Sequence, residues 1–144
     1  MKIAIGSDHA GFKLKSEIIR YLKKRRISFK DYGSTSEESV DYPDFGFAVA
    51  RAVARGRFDR GILICGSGVG MTIVANKIKG IRAVNAYDPY TARQSREHGD
   101  CNVLCLAGRK LSRARAMKIV DVWLKTEFSN EERHLRRIRK IERA

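Results

Sequence analysis

Ile62-Leu63-Ile64-Cys65-Gly66-Ser67-Gly68-Val69-Gly70 is the stretch on which the fold turns. A short apolar run ends in a cysteine, and glycine then takes every second position of a loop. Met71 to Lys79 follows with a helical pattern. A buried strand, a glycine turn and a helix start make an anion-binding device, because unpaired backbone N–H groups and the helix dipole converge there. A thiol at that point is unusual, and the field that binds an anion also stabilises a thiolate. The stretch points to enzyme chemistry on an anionic substrate.

Outward from this unit the chain alternates. Lys2 to Ser7 reads as an apolar strand that stops at Asp8-His9. From Ala10 to Lys24, Phe12, Leu14, Ile18, Ile19 and Leu22 recur at helical spacing. Ile27 to Tyr32 is a short strand, and Ser34 to Asp44 is a polar loop whose end Pro43 marks. Phe45 to Ala54 is predicted helical, Arg60 to Cys65 is the strand already quoted, and Arg82 to Ala86 is a fourth strand. Pro89 suits the first turn of a helix through Arg96. Asn102 to Ala107 is a fifth strand, followed by helices over Ser112 to Leu124 and Asn130 to Arg143. Strands that alternate with helices predict a parallel sheet covered on both faces, with right-handed crossovers. No repeat or low-complexity linker interrupts the chain, so residues 1–144 are expected to form one doubly wound α/β domain. Ligands of such a sheet bind at the carboxyl ends of its strands.

The composition narrows the function classes. A hydrophobic content of 43% argues against disorder. No apolar run approaches the roughly 20 residues that span a bilayer. The start Met1-Lys2-Ile3-Ala4-Ile5-Gly6 lacks the features of a signal peptide, so a cytoplasmic protein is expected. Three cysteines do not make a disulfide framework. Cys101 and Cys105 flank Asn-Val-Leu in an expected strand, where about 13 Å would separate them, too far to bridge. No Cys/His spacing suits zinc. The net charge of +14 admits nucleic-acid binding, an anionic small substrate or a heat-adapted surface. Much of it lies between Arg133 and Arg143, a basic helix without interleaved aromatics, an RNP signature or a KH-type loop. Nucleic acid is therefore not the expected partner.

The carboxyl-edge rule selects candidates. Asp8 and His9 follow the first strand, Cys65 and its loop follow the third, and His98 lies in the region before the fifth. All are expected at one edge. Asp8 alone could simply cap the next helix. Gly66-Ser67-Gly68-Val69-Gly70 is neither a Walker loop nor a dinucleotide fingerprint, because its glycines alternate evenly and no Lys-Ser/Thr follows. Close glycines let N–H groups aim at one oxygen, which suits an oxyanion or enediolate, or simply make a tight turn. Cys65 is a base, a nucleophile or a buried hydrophobe on this reading. His98 stands before Gly99, near a helix C-terminus that favours its protonated form, which suits a general acid. Arg109, Arg133 and Arg137 are candidate phosphate ligands, the last two on one helical face.

Together these residues resemble the ribose-5-phosphate isomerase B family, which also includes galactose-6-phosphate isomerase subunits. The resemblance spans nearly the whole chain. Its carriers are Gly6-Ser7-Asp8-His9-Ala10-Gly11-Phe12, Val40-Asp41-Tyr42-Pro43, Ile64-Cys65-Gly66-Ser67-Gly68-Val69-Gly70-Met71 with Ala75-Asn76-Lys77, then His98, Asn102-Val103-Leu104, Gly108-Arg109, Arg133-His134 and Arg137. It implies a Rossmann-like αβα sandwich with a five-stranded parallel sheet and a C-terminal helix. It implies interconversion of ribose 5-phosphate and ribulose 5-phosphate, a small-molecule sugar phosphate pair, without metal or other cofactor. By the same resemblance Cys65 is the base, and Ser67 with the N–H groups of Gly66, Gly68, Val69 and Gly70 holds the oxyanion. His98 with Asp8 opens the sugar ring, while His9, Arg109, Arg133 and Arg137 hold the phosphate and Tyr42 lines the pocket. A homodimer or tetramer, with the site at a subunit interface, is also implied. Met71 stands where one branch of the family carries a glutamate base, leaving Cys65 as the base here. Ser67 replaces a common threonine and keeps its hydroxyl. Gly99 stands where many relatives carry an asparagine that contacts the sugar, which bears on fine substrate preference, and the alternative substrate is a six-carbon phosphate such as allose or galactose 6-phosphate, a choice that the long polar loop around Tyr42 would shape.

Overall fold

The computed structural model describes Met1–Ala144. Its strands are β1 (Lys2–Ser7), β2 (Ser28–Asp31), β3 (Arg60–Cys65), β4 (Ala83–Asn85) and β5 (Val103–Ala107). Its helices are α1 (Phe12–Lys24), α2 (Tyr42–Ala54), α3 (Val69–Asn76), α4 (Pro89–Glu97), α5 (Arg113–Lys125) and α6 (Glu132–Ile141). The strands pair in parallel in the order β2-β1-β3-β5-β4. This is the expected five-stranded αβα sandwich with a C-terminal helix.

The period of two along each strand sorts the core into two layers. Ile3, Ile5, Ile62, Ile64, Leu104 and Leu106 face one side, where they meet Leu14, Ile18 and Leu22 of α1 and Ile119, Val120 and Trp123 of α5. Ala4, Leu63, Cys65, Val103 and Cys105 face the other, against Val49 and Val53 of α2 and Met71 and Ala75 of α3. Burial on both faces is why β3 and β5 read as continuous apolar runs. The chain leaves β1 to one side of the sheet and leaves β3 to the other, so the strand order reverses between them. A doubly wound sheet opens its crevice at such a reversal.

Most element ends shift by a residue or two from the sequence reading, and three differences bear on the site. Helix α2 starts at Tyr42 rather than Phe45, because Pro43 occupies its first turn, where a missing N–H costs no hydrogen bond. Helix α3 stops at Asn76, short of Lys79. The Asn76 amide donates to Ala83 O at 3.0 Å and accepts from Ala83 N–H at 2.8 Å, standing in for a strand partner at the start of β4. Cys101 precedes β5 instead of lying in it, and all three cysteines are free thiols.

Between β1 and α1 the chain makes a single 3-10 turn, His9–Gly11. A Cβ on Gly11 would sit 2.5 Å from the Ile64 carbonyl oxygen, so only glycine lets this turn lie against β3. Gly11→Ala should cost about 1–3 kcal/mol through overpacking against backbone that cannot yield. Urea unfolding of the purified variant measures this, and wild-type stability would refute the fit.

Candidate active site

The exits of β1, β3 and β5 are stitched together by backbone. Asp8 N–H donates to Ile64 O at 3.2 Å, Gly108 N–H to Cys65 O at 2.8 Å, and Arg109 N–H to Gly66 O at 3.1 Å. These bonds bring three loops to one place, as the carboxyl-edge rule requires. The cleft they enclose has a volume of about 580 Å³. Asp8, Tyr42, Cys65, Gly66, Ser67, Val69, Gly70 and Arg109 line it, joined by Ile73 and Lys110.

Each lining residue has a local cause. Asp8 Oδ1 accepts Gly11 N–H at 3.0 Å, so the carboxylate caps the turn while it faces the cleft. Gly70 leaves room for the Tyr42 ring, since a Cβ there would lie 2.7 Å from it. The Arg109 side chain packs over Gly66, where a Cβ would meet its Cδ at 3.4 Å. Gly68 takes a left-handed φ of 77° and starts α3. Its N–H donates to Cys65 Sγ at 3.2 Å. Cys65 is 5% exposed and lines the cleft. The N–H groups of Gly66 and Ser67 donate to nothing within the chain and border the same space. Ser67 Oγ accepts Val69 N–H at 3.2 Å. An anionic oxygen placed beside Cys65 meets these donors and the α3 N-terminus.

The other two thiols are of a different kind. Burial pushes Cys105 up to about 12 and Cys101 up to about 11. Both behave as small hydrophobes in this fold.

His98 breaks the expectation of a single edge. Each helix of a parallel sheet returns the chain from the carboxyl edge to the amino edge, and His98 caps the C-terminus of α4. It therefore lies at the amino ends of the strands, away from Cys65. The convergence of Asp8, Cys65 and His98 does not occur within one chain. The reason is the direction of α4, which carries the chain away from the carboxyl edge whatever the order of the strands.

The exposed His98 ring stacks on His134, with ring centroids 4.1 Å apart and planes at 29°. His134 is the one buried residue of α6. Its Nδ1 lies 2.8 Å from Ser129 Oγ, and Ser129 N–H donates to Glu97 O at 3.1 Å, which ties α6 to the end of α4. Burial lowers the His134 pKa, and the neighbouring charges of His98 and Arg133 lower it further. Arg133 and Arg137 are exposed on α6 beside this pair. Gly99 lies in the turn below, held by Arg82 Nε to its carbonyl at 2.9 Å, and Asp100, not Gly99, takes the left-handed φ of 43°. His9 does not line the cleft. Its Nδ1 accepts Val40 N–H at 3.2 Å and pins the long loop. The candidate residues thus fall into two groups, one around the thiol and one around the His98 imidazole with two arginines.

The profile of the Ribose/Galactose Isomerase family matches residues 3–141. The chain belongs to this family. It is 48% identical over 140 residues to the ribose-5-phosphate isomerase B of Escherichia coli, covering 97% of this chain and 93% of that one. The solved ribose-5-phosphate isomerase B of Clostridium thermocellum superposes with a TM-score of 0.97 at 53% identity, over 99% of this chain and 96% of that one. A crystal structure of the Mycoplasma genitalium ribose-5-phosphate isomerase B with bound ribulose 5-phosphate gives 0.94 at 44% identity, over 99% and 94%.

In this member of the family Ile73 and Lys110 also line the cleft, which the sequence reading missed. Ile73 follows Val69 by one turn of α3, and Lys110 adds a cation beside Arg109. His134 was quoted only as a neighbour of Arg133, and its contact with His98 is tertiary. No cluster of three or more His, Cys, Asp or Glu is placed to hold a metal ion. No helix is long and apolar enough to cross a membrane.

The lowered pKa of His134 has a definite sign for stability. The unfolded chain, at an ordinary value of 6.5, binds more protons than the fold. The contribution of neutral His134 is fully present above that value and is lost as pH falls through it towards the lowered one. His134→Asn keeps a polar partner for Ser129 and should flatten the loss of stability between about pH 7 and about pH 5. Urea unfolding at both pH values checks this, and equal slopes would sink it.

Proposed function

We propose that this chain is a metal-independent aldose–ketose isomerase that interconverts ribose 5-phosphate and ribulose 5-phosphate through an enediolate. The observation that carries the reading is the Cys65 thiol, met by Gly68 N–H inside the cleft, in a chain of this family. Cys65 takes the proton from C2 of the open aldose. The C–H electron pair forms the C1–C2 double bond, and the carbonyl pair moves to O1. The unbonded N–H groups of Gly66 and Ser67 hold the developing oxyanion. Cys65 then returns its proton to C1 while the O2 proton passes to O1, giving the ketose. Protonation balances without a covalent intermediate.

Ring opening needs an acid, and the two groups of candidate residues suggest its source. In an isologous pair, a patch at one edge of a chain meets a different patch of its twin, twice. His98 of the partner subunit then faces Asp8 and Cys65 across the interface, and acts as the acid at the ring oxygen. Arg133 and Arg137 of the partner subunit join Arg109 around the phosphate, where forked guanidinium donors bind bidentately, and His9, its Nδ1 taken by Val40 N–H, has Nε2 left to offer from outside the cleft wall. Phosphate held far from the reacting carbons supplies binding energy for positioning. Tyr42 lines the sugar. A cytoplasmic homodimer is the simplest assembly with complete sites, and residues 1–144 serve as its single catalytic domain. The family's description names galactose beside ribose, and Gly99 offers no side chain to the sugar, so a six-carbon phosphate is the second reading.

Purified protein should isomerise ribose 5-phosphate in EDTA, with a higher kcat/KM than for allose or galactose 6-phosphate. Cys65→Ala should lose at least about a hundredfold in kcat, the usual scale of a general base. Full activity in that variant would remove the mechanism. Co-refolding inactive Cys65→Ala with inactive His98→Asn should restore about a quarter of wild-type activity, because half the dimers are mixed and each then carries one intact site. No recovery would mean that each chain builds its own site.

A further inference from the structure

Gly68 N–H reaches the thiol only because its peptide is held in one orientation. The amide is planar and trans, so the Ser67 carbonyl points away from the direction of the Gly68 N–H. That carbonyl is gripped from behind. Asn85 Nδ2 donates to it at 3.1 Å and Tyr87 Oη donates to it at 3.0 Å. Asn85 Nδ2 also donates to Tyr87 Oη at 3.2 Å, closing a triangle. Asn85 is the last residue of β4, and Tyr87 lies two residues on. The Tyr87 carbonyl accepts from Arg115 Nε at 2.9 Å, and Asp88 caps α4, so the chain around Tyr87 is braced by two helices. Asn85 also presses on Gly68 itself: an added Cβ there would collide with its Oδ1, which is buried and has no partner. A buried acceptor without a donor is a cost, and it marks a side chain held in place for another purpose.

We propose that Asn85 and Tyr87 are positioning residues that clamp the Ser67 carbonyl and so aim the Gly68 N–H at Cys65. The proposal rests on Cys65 as the base of the isomerase, and it adds two residues from the edge strand that never enter the cleft. Neither lines the space where substrate binds. Their effect is transmitted through one peptide plane. Freed of the clamp, that peptide can rotate, the N–H leaves the sulfur, and a developing thiolate loses a charge-assisted hydrogen bond.

The test uses Asn85→Leu, which keeps the volume and removes the donor, and Tyr87→Phe, which removes only a hydroxyl from a half-exposed ring. Two readouts are taken. One is the rate of iodoacetamide alkylation of Cys65 across pH, read by mass spectrometry of its peptide. The raised Cys101 and Cys105 serve as internal slow references. The other is kcat and KM on ribose 5-phosphate. In the double variant, alkylation of Cys65 at fixed neutral pH should slow about threefold to tenfold, with its pH midpoint moved upward. The kcat should fall about tenfold while KM stays within about twofold, because the phosphate is held elsewhere. Tyr87→Phe alone should show a smaller change in the same direction. An unchanged alkylation profile in Tyr87→Phe and in the double variant overturns the clamp, whatever the isomerase assay gives. A slowed profile in a protein that isomerises no sugar phosphate supports the clamp and overturns the proposed function instead.

Discussion

The approach of three backbones at the carboxyl ends of β1, β3 and β5 governs the rest of this molecule. Gly11 lies against the Ile64 carbonyl, and a Cβ on Gly108 would meet Ala10 O at 3.0 Å. No side chain can intrude there without separating the strands' exits. With the exits closed, Asp8, Cys65 and Arg109 are placed by main-chain hydrogen bonds rather than by the torsions of long loops. Sites held by rigid elements keep their geometry better than sites on loops. The glycines of this region therefore do structural and chemical duty together: they let the chain pass, and they leave N–H groups uncovered.

Much of this was legible in one segment. β3, its glycine loop and α3 place apolar periodicity, left-handed freedom and a thiol within a few residues, so local rules suffice. Asp8 as a cap and cleft residue follows from the same local logic. What was not legible depends on pairs distant in sequence. Helix α2 begins early because Pro43 serves as a first-turn residue and not as the loop's last one. Helix α3 ends early because Asn76 bonds to Ala83 across the turn. His98 lies at the other edge because α4 joins two parallel strands and so ends where β5 begins, a consequence of the alternation itself once the helix is known to run up to His98. Asn85 and Tyr87 carry no motif, His134 stands in the sequence only beside Arg133, and all three act through tertiary contacts.

The +14 charge also has a structural distribution. Arg60 and Arg96 are buried and stack on Trp123, with their guanidinium carbons 5.4 and 5.9 Å from its ring centroid. Arg60 spends its donors on the carbonyls of Trp123 and Leu124 at the end of α5. Lys15 is buried against Asp31 at 2.8 Å, where it joins α1 to the end of β2. These cations are internal fasteners. The surplus that faces solvent on α6 includes Arg133 and Arg137, the two cations that the proposed reaction would use on a small dianion.

The separation of Cys65 and His98 onto opposite edges has a consequence in mass action. If a complete site needs both edges, the folded monomer is catalytically empty, and turnover becomes a property of association. At dilutions below the dimer's dissociation constant, specific activity would fall with concentration even though every chain remained folded. Substrate that bridges the two edges would in turn favour the dimer, by an amount set by its own affinity. Sugar phosphate would then act as subunit glue as well as reactant, and the enzyme would assemble most firmly where it has work to do.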